Sequence, residues 1–227
     1  MRRTVLVLAS VALAVLFFWS ITDSPPPAAQ TTPTKPNIVF ILTDDMRKDD
    51  LNEKYMPQTT AELVKKGMTF NNAYVPLASC CPSRASILRG QYVHNHKLWF
   101  SDVHSGGYQG WATLGHESDN LATSLQAGGY STGLFGKYMN GYSKTTGKPP
   151  GWTDWFAMNG GEGYYNYSVN DNGVDRNFGS TSSDYFMDVI NTESQQFIQQ
   201  SVTAGKPFFL YVSPNYRTCR LLQRLGT

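Results

Sequence analysis

Cys80-Cys81-Pro82-Ser83-Arg84 sets a thiol and a guanidinium four residues apart, at what reads as the start of a short helix ending at Gly90. Proline near the first turn leaves free backbone N–H groups around Cys80, and a helix start favours an anion. A cysteine and an arginine there form an anion-handling arrangement. Two other readings stand beside it: a pair of buried small residues, or a thiolate nucleophile. Cysteine phosphatases use a related logic, but with five residues between cysteine and arginine, where this chain has three. Asp44-Asp45 closes the apolar run "PNIVFILTDD" and offers two hard oxygen donors to a divalent cation such as calcium. Alone, a strand-end turn is the simpler account of that pair. Lys137, after "TGLFG", is either a ligand for phosphate or sulfate or a solvated loop lysine. His94, Asn95 and His96 in "YVHNHKLW" are candidates for substrate contact, with a turn carrying two surface histidines as the alternative. His104 and His116 read as structural or solvated. Asn166-Tyr167-Ser168 is a glycosylation sequon, meaningful only in a glycosylating host.

These residues need elements to position them. Residues 36–45 read as a buried parallel strand. A helix is expected up to Lys66, capped by Gln58, Thr59 or Thr60 and stopped by Gly67, with "MTFNNAYV" returning as a strand. The pattern repeats over residues 120–138, where a helix runs to Ala127 and a strand to Phe135, and again in a third helix that precedes "PFFLYVS". Such alternation predicts an α/β fold with a mostly parallel sheet and helices on both faces. Ligands in such sheets gather outside the carboxyl ends of the strands. Asp44, Asp45, Lys137 and the Pro82 helix start all fall at such ends. The glycine- and aromatic-rich stretch from 140 to 180 reads as a long surface excursion carrying a hairpin.

The 227 residues fit one domain with a tail, and the formal charge of +2 gives no basic field for nucleic acid. Met1-Arg2-Arg3 and the apolar run at 5–21 read as a signal peptide or an N-terminal anchor over residues 1–22. A proline-rich linker follows over 23–35. Both alternatives place the chain outside the cytoplasm, secreted or held by that anchor. Three cysteines, Cys80, Cys81 and Cys219, are an odd number for an exported chain, so at least one is unpaired or modified.

Cys80 through Gly90 resembles the sulfatase signature C-x-P-S-R, of the alkaline-phosphatase-like superfamily, with Arg89 in place of the usual threonine. "PNIVFILTDD" resembles the family's opening strand with its metal acids, and "TGLFGKY" the strand that carries its lysine. The resemblance runs from about Pro36 to Pro214. "CCPSRASIL", "YVHNH", "GKYMNGY" and "YYNYSVNDNG" are most similar to the N-acetylglucosamine-6-sulfatase branch, including the extracellular heparan endosulfatases. It implies that a formylglycine-generating enzyme converts Cys80, and not Cys81, to formylglycine. One hydroxyl of the hydrated aldehyde would attack the sulfur of a sulfated sugar, and the other would help expel the bound sulfate. It also implies calcium held by Asp44, Asp45 and the modified Cys80, with Arg84 polarising that side chain and Lys137 neutralising the sulfate. Met139 stands where many sulfatases have histidine, a trait the glucosamine branch shares. Residues 215–227 depart from the family, and its later histidine, Asp-Asn ligands and second lysine do not follow. The expectation is therefore an incomplete catalytic domain over 36–214, truncated by a frameshift or a broken gene model and inactive alone. Two alternatives are a phosphate or phosphonate monoester hydrolase of the same superfamily and a non-catalytic binder of sulfated glycans.

Overall fold

The computed structural model describes residues 35–143, 147–160 and 163–214. The N-terminal apolar run, its linker, the 215–227 tail and Cys219 lie outside the described residues. Among the described residues no helix is long and apolar enough to cross a membrane.

Six strands form one sheet in the order β1-β6-β2-β3-β4-β5. They are β1 (Ile38–Ile41), β2 (Ser131–Gly136), β3 (Asp154–Met158), β4 (Ser168–Asp171), β5 (Val174–Asn177) and β6 (Phe208–Ser213). The first four in spatial order are parallel, and β4 and β5 continue antiparallel. The sheet is thus parallel where the candidate site residues lie. Strands β2 and β6 are buried along their whole length, as apolar strands covered on both faces must be.

Alternation along the strands sorts two cores. Leu134, Trp155, Ala157, Phe209 and Tyr211 face one side, with Cys81, Ala85, Leu88 and Trp111. Those four come from α2 (Cys80–Arg89) and α4 (Gly107–Thr113). Between these two helices lies the short α3 (Val93–His96). Phe135, Phe156, Phe208, Leu210 and Val212 face the other side, against Phe186, Ile190 and Phe197 of α6 (Phe186–Thr203). Helix α5 (Leu121–Ala127), which precedes β2, opens with a capping box in which Asn120 accepts from Ala122 and Thr123 N–H groups.

Three local expectations change. The first helix is shorter than its pattern. Pro57 opens α1 (Pro57–Thr59) at N1, and Thr60–Val64 continues as a π turn. Residues 68–75 form no strand, and Met68, Phe70 and Tyr74 are largely exposed. A strand needs a partner for its backbone, and none of the six strands pairs with this segment. The 140–180 stretch is not a surface excursion. It supplies β3 and the expected hairpin, β4 and β5, and Tyr142, Trp152, Trp155, Phe156 and Tyr167 are buried in the core. Trp155 Nε1 donates to Tyr142 Oη at 2.8 Å, and Tyr138 and Tyr142 meet Trp155 edge to face.

Candidate active site

Helix α2 begins at Cys80 and stops at Gly90, whose φ of 61° is the left-handed conformation that glycine adopts freely. Its N-cap residue, Ser79, makes no side-chain cap bond. Ser101, from a separate loop, accepts the Cys81 N–H at 3.1 Å instead. The helix start faces the carboxyl ends of β1, β2 and β6, as the strand–helix alternation requires.

Arg84 reaches from α2 into those strand ends and is almost fully buried. Its Nη1 donates to Ser213 Oγ at 2.6 Å, to the Lys137 carbonyl at 3.0 Å and to Tyr211 Oη at 3.3 Å. Its Nη2 lies 3.4 Å from Asp44 Oδ1, and Lys137 Nζ lies 2.6 Å from Asp44 Oδ2. One buried carboxylate therefore answers two cations. Gly136 makes the approach of Lys137 feasible. Its φ is 121°, and an added Cβ would sit 2.0 Å from the Ser213 carbonyl oxygen. The Lys137 N–H donates to that same oxygen at 2.7 Å.

Cys80 is half-buried at the edge of this network. A cavity of about 310 Å³ is lined by Asp44, Asp45, Ser79, Cys80, Ser83 and Arg84 among others. A larger depression, about 630 Å³, lies around Ser131, Asp154 and Lys206, at the opposite end of the strands. The Cys80 thiol is drawn down to about 5, first by a hydrogen bond with the Cys81 thiol, then by Ser101 and the charge of Lys137, against burial and Asp44. Cys81 is fully buried, and the same hydrogen bond together with burial pushes its thiol far up. The adjacent thiols are thus unlike: one inclined to ionise, the other a small core residue.

The structure brings Asp44, Cys80, Arg84 and Lys137 together. Asp45 is exposed, with φ 50°, on the wall of the same cavity. Among the described residues no three His, Cys, Asp or Glu side chains converge as a metal shell. Calcium takes about six to eight oxygens. Asp44 and Asp45 are oxygen donors of the kind such a cation takes, and two carboxylates fall short of that number.

The three residues of "HNH" do not line the Cys80 cavity. His94 and Asn95 are exposed, and His94 stacks on Tyr92. His96 is buried with both ring nitrogens engaged: Nε2 lies 2.9 Å from Ser86 Oγ, and Nδ1 accepts the Leu98 N–H at 3.1 Å. Its place is structural, behind α2. His116 Nε2 in turn donates to the His96 carbonyl at 2.6 Å. Burial holds both rings below the ordinary histidine range. Below about pH 6.5 the unfolded chain takes up protons that the folded chain refuses. Stability is expected to be level above that pH and to fall as pH drops, by up to about 1.4 kcal/mol per unit for each ring. Urea melts from pH 7 to pH 5 read this slope. His116→Gln should remove that ring's share and leave that of His96, and an unchanged slope would mean that other groups set the acid limit.

Sequence reasoning missed Tyr211 and Ser213 as partners of Arg84, and Ser101 as a neighbour of Cys80. Ser101 stands in a loop with no periodicity to mark it.

The sulfatase family model matches residues 36–216. The extracellular sulfatase SULF-1 homolog of Drosophila melanogaster is 39% identical over 182 residues, covering 79% of this chain and 16% of that protein. The N-acetylglucosamine-6-sulfatase of Homo sapiens is 35% identical over 186 residues, covering 79% of this chain and 34% of that enzyme. A solved structure described as a complex with its substrate D-glucosamine-2-N,6-O-disulfate superposes with a TM-score of 0.60 at 24% identity. The match covers 79% of this chain and 34% of the other, and it shows a shared fold. The chain thus spans about a third or less of the length of these two curated relatives.

Proposed function

Because this chain belongs to the sulfatase family, we propose that it carries the nucleophile-bearing part of a hydrolase of sulfate esters on sugars such as glucosamine 6-sulfate. One observation carries the reading: Cys80 shares a cavity with Asp44 and Arg84 at a helix start, within reach of the charge of Lys137. The names of the curated relatives and the glucosamine disulfate of the solved neighbour support the substrate class.

An aldehyde formed at position 80 by a formylglycine-generating enzyme would supply, once hydrated, the hydroxyl that attacks sulfur. Calcium, held in part by Asp44 and Asp45, would add positive charge where sulfate oxygens gather. The remaining work falls to the chain's own groups. The dipole at the start of α2 favours an anion, although Ser101 takes the Cys81 N–H and Pro82 has none. Arg84, clamped by Ser213, Tyr211, Asp44 and the Lys137 carbonyl, keeps a fixed positive charge beneath the side chain at position 80. Lys137 is placed to meet the developing charge, and its ion pair with Asp44 keeps the ammonium beside the cavity. The apolar run at 5–21 and the extracellular relatives support export.

Mass spectrometry of the tryptic peptide 67–84 tests this reading. In a host with the converting enzyme, position 80 is expected as the aldehyde, with Cys81 still a thiol. A thiol at both positions in that host would overturn it.

A further inference from the structure

Ser101 and Asn140 enclose the side chain at position 80, though neither belongs to the cysteine signature or to the ion network. The Ser101 hydroxyl accepts from Cys80 Sγ at 3.4 Å and meets Ser79 Oγ at 2.6 Å. The Asn140 amide donates to Cys80 Sγ at 3.4 Å and to the Ser101 carbonyl at 3.1 Å. The two residues therefore hold each other as well as the thiol.

Asn140 has little freedom to leave. Its backbone N–H donates to Cys81 Sγ at 3.2 Å, and its carbonyl accepts the Tyr108 N–H at 2.8 Å. Gly107 comes so near that an added Cβ would lie 2.5 Å from that carbonyl oxygen. Backbone and side chain of one residue thus touch both sulfurs of the vicinal pair. The fold has fixed an amide against Cys80 from one side and a hydroxyl from the other.

We infer that Ser101 and Asn140 are positioning residues that fix the rotamer at position 80, one offering an oxygen and the other a hydrogen. The consequence for chemistry rests on the proposed function. A hydrated aldehyde carries two hydroxyls on one carbon, and these are equivalent in a symmetric setting. Both neighbours meet the single γ position that the sulfur holds, and this makes the two hydroxyls inequivalent: one at that position accepts from Asn140 and donates to Ser101, while its geminal partner, in another staggered position, lacks both contacts. The attacking oxygen and the oxygen that later loses its proton are then distinguished before substrate arrives.

NMR of the purified chain with labelled cysteine tests the positioning role in the thiol form. The Hα–Hβ couplings of Cys80 should report one rotamer in the wild type and in Ser101→Thr, which keeps the hydroxyl. They should average in Asn140→Ala and in Ser101→Ala. Ser101→Ala also removes the acceptor at the start of α2, so Asn140→Ala, which retains its backbone bonds, decides the matter should the serine variant unfold. A single rotamer persisting in folded Asn140→Ala overturns the inference. In the aldehyde form, oxime labelling should run about fivefold faster in Asn140→Ala, the usual worth of one hydrogen bond. Absence of any aldehyde would defeat the proposed function, while the couplings would still decide the role of the two residues.

Discussion

Asp44→Ala is expected to cost the folded chain about 3–5 kcal/mol, read as a fall in the urea midpoint at constant slope. The carboxylate is buried, and its two oxygens separately answer Lys137 and Arg84. Removing it leaves a guanidinium and an ammonium facing each other with water largely excluded, and unpaired buried charge is the costly outcome. The Arg84 bonds to Ser213 and Tyr211 stop it from swinging out to solvent. Lys137 is also mostly covered. The second half of the expectation is a rescue. Lys137→Met in the Asp44→Ala background removes one of the two stranded cations and should recover part of the loss, so the double variant would be more stable than the sum of the single effects predicts. Additive losses would show that the two residues act independently and that the ion network is only a coincidence of distance.

Gly136→Ala should be worse, with little or no soluble folded chain. Two faults combine at one position. The φ of 121° is a conformation that side chains rarely adopt, and the new Cβ would meet the Ser213 carbonyl oxygen at 2.0 Å. That oxygen belongs to the neighbouring strand in the middle of the sheet, so neither strand can yield without breaking the pairing of β2 with β6. Gly90→Ala provides the control. It too has a left-handed φ, of 61°, but nothing lies within 4 Å of an added Cβ. It should cost only about 1–2 kcal/mol, the strain of the backbone alone. Thermal melts of the soluble fractions separate the two cases, and equal behaviour would remove the steric argument.

Local signals were readable in the sequence where a residue's own neighbours decide its state. Pro82 and Gly90 bracket α2 as read, and the apolar run before Asp44 is strand β1. Asp44, Cys80, Arg84 and Lys137 meet because each sits at the carboxyl end of a strand or at a helix start, which the strand–helix alternation already implies. What failed to show depends on contacts distant along the chain. Trp155 and Tyr142 look like surface aromatics in a glycine-rich stretch until Asn170, from β4, also bonds the Tyr142 hydroxyl. His96 looks like a ligand until Ser86 and Leu98 occupy its nitrogens. Met68 to Val75 has strand-forming residues but no strand beside it, and propensity without a partner does not hold. Ser101 carries no sequence signal at all, because its role is given entirely by what the fold brings to it.

The strand order has a consequence in time. Strand β6 is last in the described chain, yet it lies between β1 and β2. The two strands that bear Asp44 and Lys137 therefore have nothing to join them until synthesis has passed Ser213. Arg84 is in the same position, since Ser213 and Tyr211 are among its main partners. During synthesis from the N-terminus, helix α2 meets an unfinished sheet until then. The arrival of β6 then both closes the sheet and clamps the arginine. The order in which the chain emerges thus makes the ion network around Arg84 the last part of the described site to form.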